Sequence, residues 1–450
     1  MSYPAHIKAI LFLGLPLIGG HLAQFAIGLT DTIMLGWYGV DALAAVTLAN
    51  SYFFVLFMLG SGFALAVMPM VAASVASDDI TSARRATRMG LWLSVAFAVL
   101  AMPTLWWSDL ILPVMGQDAA VAADAGSYLS IAGWGLIPAL LVMVLKSYLA
   151  ALEHTRAVLL ATVLGAVVNA FANYGLIFGN WGLPEMGLEG AAVASLVTQS
   201  ATLVAIAVYA ARALPEHALF QRLWRPDREM LLSVFRLGVP IGLTTVAEVS
   251  LFAASAFMMG WLGPEPLAAH GIVISVAALA FMVHLGLSNA ATIRAGNALG
   301  RGDRAHLMRG ALTVCGLSLV FALTTVAAFL IWPDAMISLF LDPDEPARAD
   351  IIAVGTVLLA IAALFQLVDG AQVIALGLLR GVQDTTVPMV FAILAYWAIG
   401  IPASYVLGFV AGLGGPGIWL GLVVGLACAG VFLMLRFWRQ GVRRVALQRS

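Results

Sequence analysis

The stretch GLPLIGGHLAQFAIGLTDTIMLGWYGVDALAA at 14–45 decides the fold, because two pieces of it return later in the chain. GLPLIGGHLAQ at 14–24 pairs with GVPIGLTTVAE at 238–248, and MLGWYGVDALAA at 34–45 pairs with MMGWLGPEPLAA at 258–269, both at an offset of 224. A weaker match joins LAALEHTR at 149–156 to LRGVQDTT at 379–386, offset 230. Two adjacent matches in one register exceed what chance supplies. The same stretch is apolar for long enough to cross a bilayer, which takes about 20 residues of helix. It is typical of the whole: of 450 residues, 62% are hydrophobic and 10% charged, with a mean hydropathy of +1.01. A soluble chain is nearer half apolar and a quarter charged.

Twelve such stretches occur, at 9–35, 43–70, 89–107, 127–150, 157–179, 188–212, 233–260, 268–292, 308–332, 350–378, 387–409 and 414–436. They predict an all-α integral membrane protein that sits in the lipid bilayer. Transmembrane barrels are excluded, since their strands are short and alternate. The first apolar run continues into a full-length helix with no small-residue cleavage site, so it is expected to be retained.

Loop charges set the orientation. One side carries Arg84, Arg85, Arg88, Arg156, Arg212, Arg222, Arg225, Arg228, Arg301, Arg304, Arg309 and Arg380, and the tail adds Arg436, Arg439, Arg443, Arg444 and Arg449. Of 22 basic residues only Arg348 falls in a loop on the other side, which instead holds Asp41, Asp109, Asp118, Asp334, Asp342, Asp344 and Glu345. Both termini are therefore expected in the cytoplasm. Trp37, Trp106, Trp107, Trp181, Trp261 and Trp332 fall at the predicted outer ends, as an interfacial aromatic belt requires. The domain reading is 1–212 and 233–450, two six-helix bundles joined by a cytoplasmic linker at 213–232, with a basic cytoplasmic tail. Six spans per half bring both halves into the membrane from the same side. The bundles are then related by a pseudo-twofold axis along the membrane normal, a plan that alternating-access carriers use.

Three acids fall inside spans: Asp31 in the first, Glu248 in the seventh and Asp369 in the tenth. A carboxylate at the bilayer centre costs roughly 2.5–3.5 kcal/mol on insertion scales. Those spans offer no lysine or arginine at comparable depth, so the expected partner is a proton, a metal cation or a cationic ligand. The alternative is a permanently protonated acid bonded to a neighbouring helix. Spacing adds polar stripes. Thr244, Glu248 and Ser255 share one helical face, Gln366, Asp369 and Gln372 recur every three residues, Gln24 and Asp31 are seven apart, and Asn169 and Asn173 lie on one face. Such stripes face an aqueous cavity or serve as helix glue. In the repeat Gln24 aligns with Glu248 and Asp31 with Ser255, so the halves place their acids on different turns.

Other classes find little support. The net charge of −1, with no basic patch outside short loops, argues against nucleic-acid binding. Cys315 and Cys428 both lie in apolar stretches and form no disulfide framework or zinc site. His21, His270 and His284 suit no metal motif and read as neutral rings bonded to carbonyls. The 18 methionines and 10% aromatics suit an adaptable cavity or plain packing. No P-loop and no nucleophile elbow occurs, so the chain reads as no enzyme, with no cofactor, and as driven by an ion gradient.

The chain resembles the multidrug and toxic compound extrusion (MATE) transporters, in its motifs the NorM-type branch. The resemblance rests on DTIMLGWYGVDALAA from Asp31, VAEVSLFAASAFMMGWLG around Glu248, IRAGNALGRGD at 293–303 and FQLVDGAQVIALGLLRGVQDT around Asp369. It implies a cation site, for H+ or Na+, at Glu248 and Asp369. Phe365, one turn before that aspartate, stands where the family has Tyr and offers no hydroxyl to sodium. It implies a second acid at Asp31, with Asn169, with Asn173 where other branches carry Asp, and with Ser195 in place of a threonine. Pro16 matches a proline at which the first span bends, and also aligns with Pro240.

The reading is thus a cation-coupled antiporter, expected as a monomer in the inner membrane of a bacterium, exporting hydrophobic and often cationic drugs by alternating access. A flippase of lipid-linked saccharides on a related scaffold is the rival; it would need buried cations for diphosphate, and the buried charges here read as acidic. A channel or non-transporting membrane protein is a further alternative, disfavoured by the repeat and the acids.

Overall fold

The computed structural model describes residues 2–343 and 346–447, and of Val40, Asp41, Ala446 and Leu447 the backbone alone. The loop acids Asp344 and Glu345, the Asp41 side chain and the tail residue Arg449 lie outside the described residues. Every regular element among the described residues is helical. Twelve helices are long and apolar enough to cross a membrane. They are α1 Tyr3–Tyr38, α2 Ala42–Ala76, α3 Ile80–Trp106, α4 Ala119–Ala151, α5 Thr155–Phe178, α6 Gly187–Ala213, α7 Arg228–Leu262, α8 Pro264–Gly300, α9 Arg304–Ile331, α10 Arg348–Gly381, α11 Thr386–Val410 and α12 Gly415–Val445.

The helix ends carry the repeat further than the sequence matches do. Tyr38 and Leu262 close α1 and α7, Ala76 and Gly300 close α2 and α8, and each pair stands 224 residues apart. Asp79 and Asp303 keep the same spacing. Each caps the next helix, accepting from the backbone N–H three residues on, of Ser82 at 2.9 Å and of His306 at 3.0 Å.

Several helices outrun their sequence-predicted spans, because charged ends cost a helix nothing once they leave the lipid. The seventh starts at Arg228 rather than 233, since Asp227 Oδ1 accepts from Met230 N–H at 3.1 Å and caps it. Arg85 bonds Asp227 and holds its carboxyl below the usual carboxylate range. The segment before it is fastened to α3 and α4. Arg88 donates to the Leu219 and Ala218 carbonyls at 2.7 and 2.6 Å, Trp92 to Leu223 at 2.7 Å, and Tyr148 meets His217 at 2.7 Å. The six tryptophans read as a belt are all exposed.

The chain divides into two compact units, Gly19–Gly242 and Leu243–Ser450 with Met1–Ile18. Each division falls within a long helix. Pro16 lies two residues before the one in α1 and Pro240 two before the one in α7. Proline removes an N–H from the helix ladder, which makes both places natural bends.

In the Leu243–Ser450 unit, α10 lies close against α8. A Cβ on Gly377 would stand 2.6 Å from the Ser288 carbonyl oxygen, so only glycine admits the approach. Two hydroxyls of α8 bond across to carbonyls of α10, Ser288 to Val373 at 2.7 Å and Thr292 to Gly377 at 2.9 Å. Small residues and hydroxyls are how helices bind each other where lipid removes the hydrophobic drive. That contact fixes the helix bearing Asp369.

Candidate functional site

In the Gly19–Gly242 unit one carboxylate is held by two amides. Asn169 and Asn173 stand four apart on α5, so both face α1. Asn169 Nδ2 donates to Asp31 Oδ1 at 2.9 Å and Asn173 Nδ2 to the same oxygen at 2.5 Å. Both asparagines are fully buried and Asp31 nearly so. Gly165 allows α5 this position, for a Cβ there would stand 2.6 Å from the Thr202 hydroxyl of α6. Tyr128 of α4 acts electrostatically on Asp31, its hydroxyl lies beside Ser195 of α6, and it makes a long 3.4 Å bond to Asn50 Oδ1 of α2. Gln24 is exposed and bonds to none of these residues.

The other unit gathers its site from α7, α10 and α11. Gln372 Nε2 donates to the Tyr396 hydroxyl and points at Glu248 Oε1 from 3.5 Å. Glu248 and Asp369 interact electrostatically, and both act on Tyr396. Gln366 leans the other way, donating to the Ala277 carbonyl of α8 at 3.3 Å. Asp369 stands between the two glutamines on the stripe. Asp369 Oδ1, Gln366 Oε1 and Gln372 Oε1 are buried and accept no hydrogen bond from the described residues. A buried acceptor left so costs about 1–3 kcal/mol. Three such oxygens fall within seven residues of one helix.

Tyr396 owes its place to an irregular helix. Residues 394–400 wind as a π-helix ahead of Pro402, which has no N–H to continue the tighter ladder. Thr244 is buried one turn before Glu248. Ser255 does not reach the site, because its hydroxyl bonds the Phe252 carbonyl of its own helix at 2.7 Å. Phe365 is buried edge-on against Phe252 and Trp419, with ring centroids 5.9 and 5.7 Å away, and serves packing there.

Two sequence expectations need correction. Arg380, three turns beyond Asp369 on α10, acts electrostatically on Glu248, although no ion pair within 4.0 Å joins them among the described residues. A cation therefore does act on Glu248, although not on Asp369. Two of the three histidines, His270 and His284, bond side chains rather than carbonyls. His284 Nδ1 meets the Ser318 hydroxyl at 2.9 Å and His270 Nδ1 accepts from Trp419 Nε1 at 3.1 Å. Side chains of neighbouring helices take the rings because the carbonyls are already used in the helix ladders.

Sequence reading missed Tyr128, Asn50, Tyr396 and Arg380. Asn50 carried a usable signal, a lone amide within an apolar span. The two tyrosines carried none, since nothing in their spacing separates them from packing aromatics. Among the described residues no three or more His, Cys, Asp or Glu stand together as a metal group. A cation at Glu248 and Asp369 would draw its further oxygens from glutamine amides and a hydroxyl.

The fold and these two buried sites define a polytopic helical membrane protein with buried carboxylates in both units. The chain belongs to the MatE family, which matches residues 16–175 and 240–406. The two matches start 224 residues apart, the offset of the repeat. A protein of Rhizobium meliloti named "Probable multidrug resistance protein NorM" is 45% identical over 448 residues, 99% of this chain and 96% of its own. One of the same name from Agrobacterium fabrum is 43% identical over 438 residues, 97% and 94% of the two chains. Among solved structures, the eukaryotic MATE transporter AtDTX14 superposes with a TM-score of 0.88 at 19% identity, covering 100% of both chains. An outward-facing MATE family transporter gives 0.88 at 22% identity over 98% and 96%.

Proposed function

We propose that the protein is a multidrug efflux antiporter of the bacterial inner membrane, driven by H+ or Na+. The observation that carries this reading is the set of unpaired buried acceptor oxygens at Asp369, Gln366 and Gln372, beside Glu248. Such a set is satisfied by a proton on a carboxyl or by an alkali cation, and it is vacated when that ion leaves. The family and the names of its relatives support drugs as the cargo. In the outward-facing state Glu248 and Asp369, with Asp31 as a second site, take up the ion. Facing inward they release it and bind a hydrophobic cationic compound. Ion and drug compete for overlapping carboxylates, and each weakens binding of the other by the same factor. In this reading 1–212 and 233–450 are the moving halves, Pro16 is a bend in α1, and the monomer suffices.

Proteoliposomes with imposed gradients test it. Drug movement against its own gradient is expected with H+ or Na+ as the driving ion, and an ionophore for that ion should stop it. Transport indifferent to both gradients would refute the coupling. Reporter fusions within 213–227 and at the C-terminus are expected to read cytoplasmic, and a fusion within 334–343 periplasmic; a linker reporter on the outside would overturn the orientation.

A further inference from the structure

The segment between the two sequence halves lies along the outside of the Gly19–Gly242 unit. Arg88 and Trp92 stand four apart on α3, so they share a face, and both bond the segment. Arg88 takes the Ala218 and Leu219 carbonyls and Trp92 the Leu223 carbonyl. That face looks outward, for Val99, two turns beyond Trp92, and Leu100 beside it are exposed apolar side chains. An exposed apolar face on a membrane-spanning helix meets lipid. Trp92 falls just inside the start of the span predicted at 89–107. Helical side chains lean towards the N-terminus, which for α3 is the arginine-rich rim. Leu223 is thereby held at the bilayer edge. The next residue, Trp224, is 73% exposed, the most of any tryptophan among the described residues. It belongs to the arginine side, opposite the six tryptophans of the outer belt.

Charge is the second observation. The stretches 80–92 and 213–232 carry six arginines, Arg84, Arg85, Arg88, Arg222, Arg225 and Arg228, against the acids Glu216, Asp227 and Glu229. Asp227 and Glu229 are both bonded to Arg85. Arg84 and Arg222 act on Arg88, like charge on like, and the buried Arg84 Nε makes no hydrogen bond with the described residues. Arg222, Arg225 and Arg228 are exposed. Guanidinium groups gathered in excess over acids repel one another unless an anion lies among them, and their paired donors match phosphate oxygens. We infer that this segment is an interfacial anchor for anionic phospholipid. Trp224 enters the headgroup boundary, where an amphipathic ring is at home. Arg222, Arg225 and Arg228 meet the phosphates, each adding to the attraction of an anionic leaflet. The connection is then a strap seated on lipid rather than a tether through water. This holds whatever the protein transports.

Two measurements on the full-length protein test the anchor. For depth, Cys315 and Cys428 are replaced by Ala, and Trp224→Cys carries a nitroxide in vesicles of phosphatidylcholine and phosphatidylglycerol. Collisions with oxygen are expected to exceed those with a water-soluble nickel complex, as at a position within the bilayer. The reverse order, that of an aqueous loop, overturns the anchor. For lipid choice, each of the two lipids is titrated into the protein in neutral detergent, and the bound lipids are counted by native mass spectrometry. Arg222→Gln, Arg225→Gln and Arg228→Gln together are expected to weaken phosphatidylglycerol binding about tenfold and to leave phosphatidylcholine within about twofold. Arg222→Lys, Arg225→Lys and Arg228→Lys together should restore most of it. Arg439→Gln with Arg443→Gln, on the exposed side of the tail, should leave it nearly unchanged. Unaltered phosphatidylglycerol binding in the triple Gln variant refutes the site. Equal loss from the tail pair refutes it too, by reducing it to the attraction of any basic surface. Displacement of phosphatidylglycerol by inorganic phosphate would give the arginines to a soluble anion and likewise overturn the assignment.

Discussion

Asp31 and Asp369 are both buried aspartates on long apolar helices, yet the chain treats them differently. Asp31 receives two amide N–H bonds on one oxygen. Asp369 has an oxygen that accepts none, and its nearest charged neighbour is a second acid, Glu248. Donors aimed at a carboxylate replace part of the water it loses and favour its charged form. Two interacting acids that share one long amide contact, from Gln372 to Glu248, are poorly placed to stay charged together. The same repeated scaffold therefore carries one acid that is furnished by its own fold and one pair that depends on something arriving. The repeat shows how the difference arose: Ser255, the counterpart of Asp31, bonds its own helix, while Gln24, the counterpart of Glu248, is exposed.

The largest effect is expected where the fold supplies least. Glu248→Gln and Asp369→Asn should each reduce gradient-driven efflux to background at unchanged membrane abundance. Each replacement keeps the shape of the acid and removes its capacity to titrate or to ligate a cation as a charge. Efflux rates of the two variants against wild type, at matched abundance, check this. Wild-type rates in either variant would erase the distinction between the two clusters.

How far the sequence went is itself instructive at these positions. Twelve apolar stretches, the 224-residue repeat and three acids inside spans were legible, because length, register and charge are properties of the chain alone. The bonds of Asn169 and Asn173 to Asp31 were half legible: helical spacing puts the amides on one face, but nothing local says which helix that face meets. Tyr396 was illegible, since its place depends on a π-helical segment and on Gln372 of another helix. Arg294 of α8 was overlooked, and it is a buried base that qualifies an acidic reading of the interior. The start of α7 lies five residues before the span read from the sequence, because the Asp227 cap was hidden among charges that read as linker.

A smaller effect is expected at Asp31. Asp31→Asn keeps both hydrogen-bonding edges of a neutral acid, and the two asparagines around it can turn their amides to suit. If Asp31 exchanges a proton or meets cargo, the variant should lose transport several-fold and flatten its pH dependence. If the acid only ties α1 to α5, rates at every pH should match wild type. The first outcome is expected. Rates measured across neutral pH at matched abundance decide between them, and superimposable profiles would leave Glu248 and Asp369 as the whole ion site.

The finest test compares the two tyrosines that stand behind the acids. The Tyr396 hydroxyl is the close partner of Gln372 Nε2, which otherwise reaches only Glu248 at 3.5 Å. Tyr396→Phe strands that donor in a buried place or turns it onto Glu248. Either consequence alters the acid pair, and a lost buried bond of about 1 kcal/mol corresponds to roughly a fivefold fall in rate. The Tyr128 hydroxyl makes a long 3.4 Å bond to Asn50 and lies beside Ser195, and neither partner is a donor that Asp31 depends on. Asp31 keeps both of its amide donors when that hydroxyl is removed. Tyr128→Phe should therefore stay within about twofold of wild type, a loss under about 0.5 kcal/mol. Initial efflux rates of both variants, with the same drug and gradient, measure the contrast. Equal losses would mean that the hydroxyls act alike, and that the donors held by Asp31 do not insulate it from its surroundings as the geometry requires.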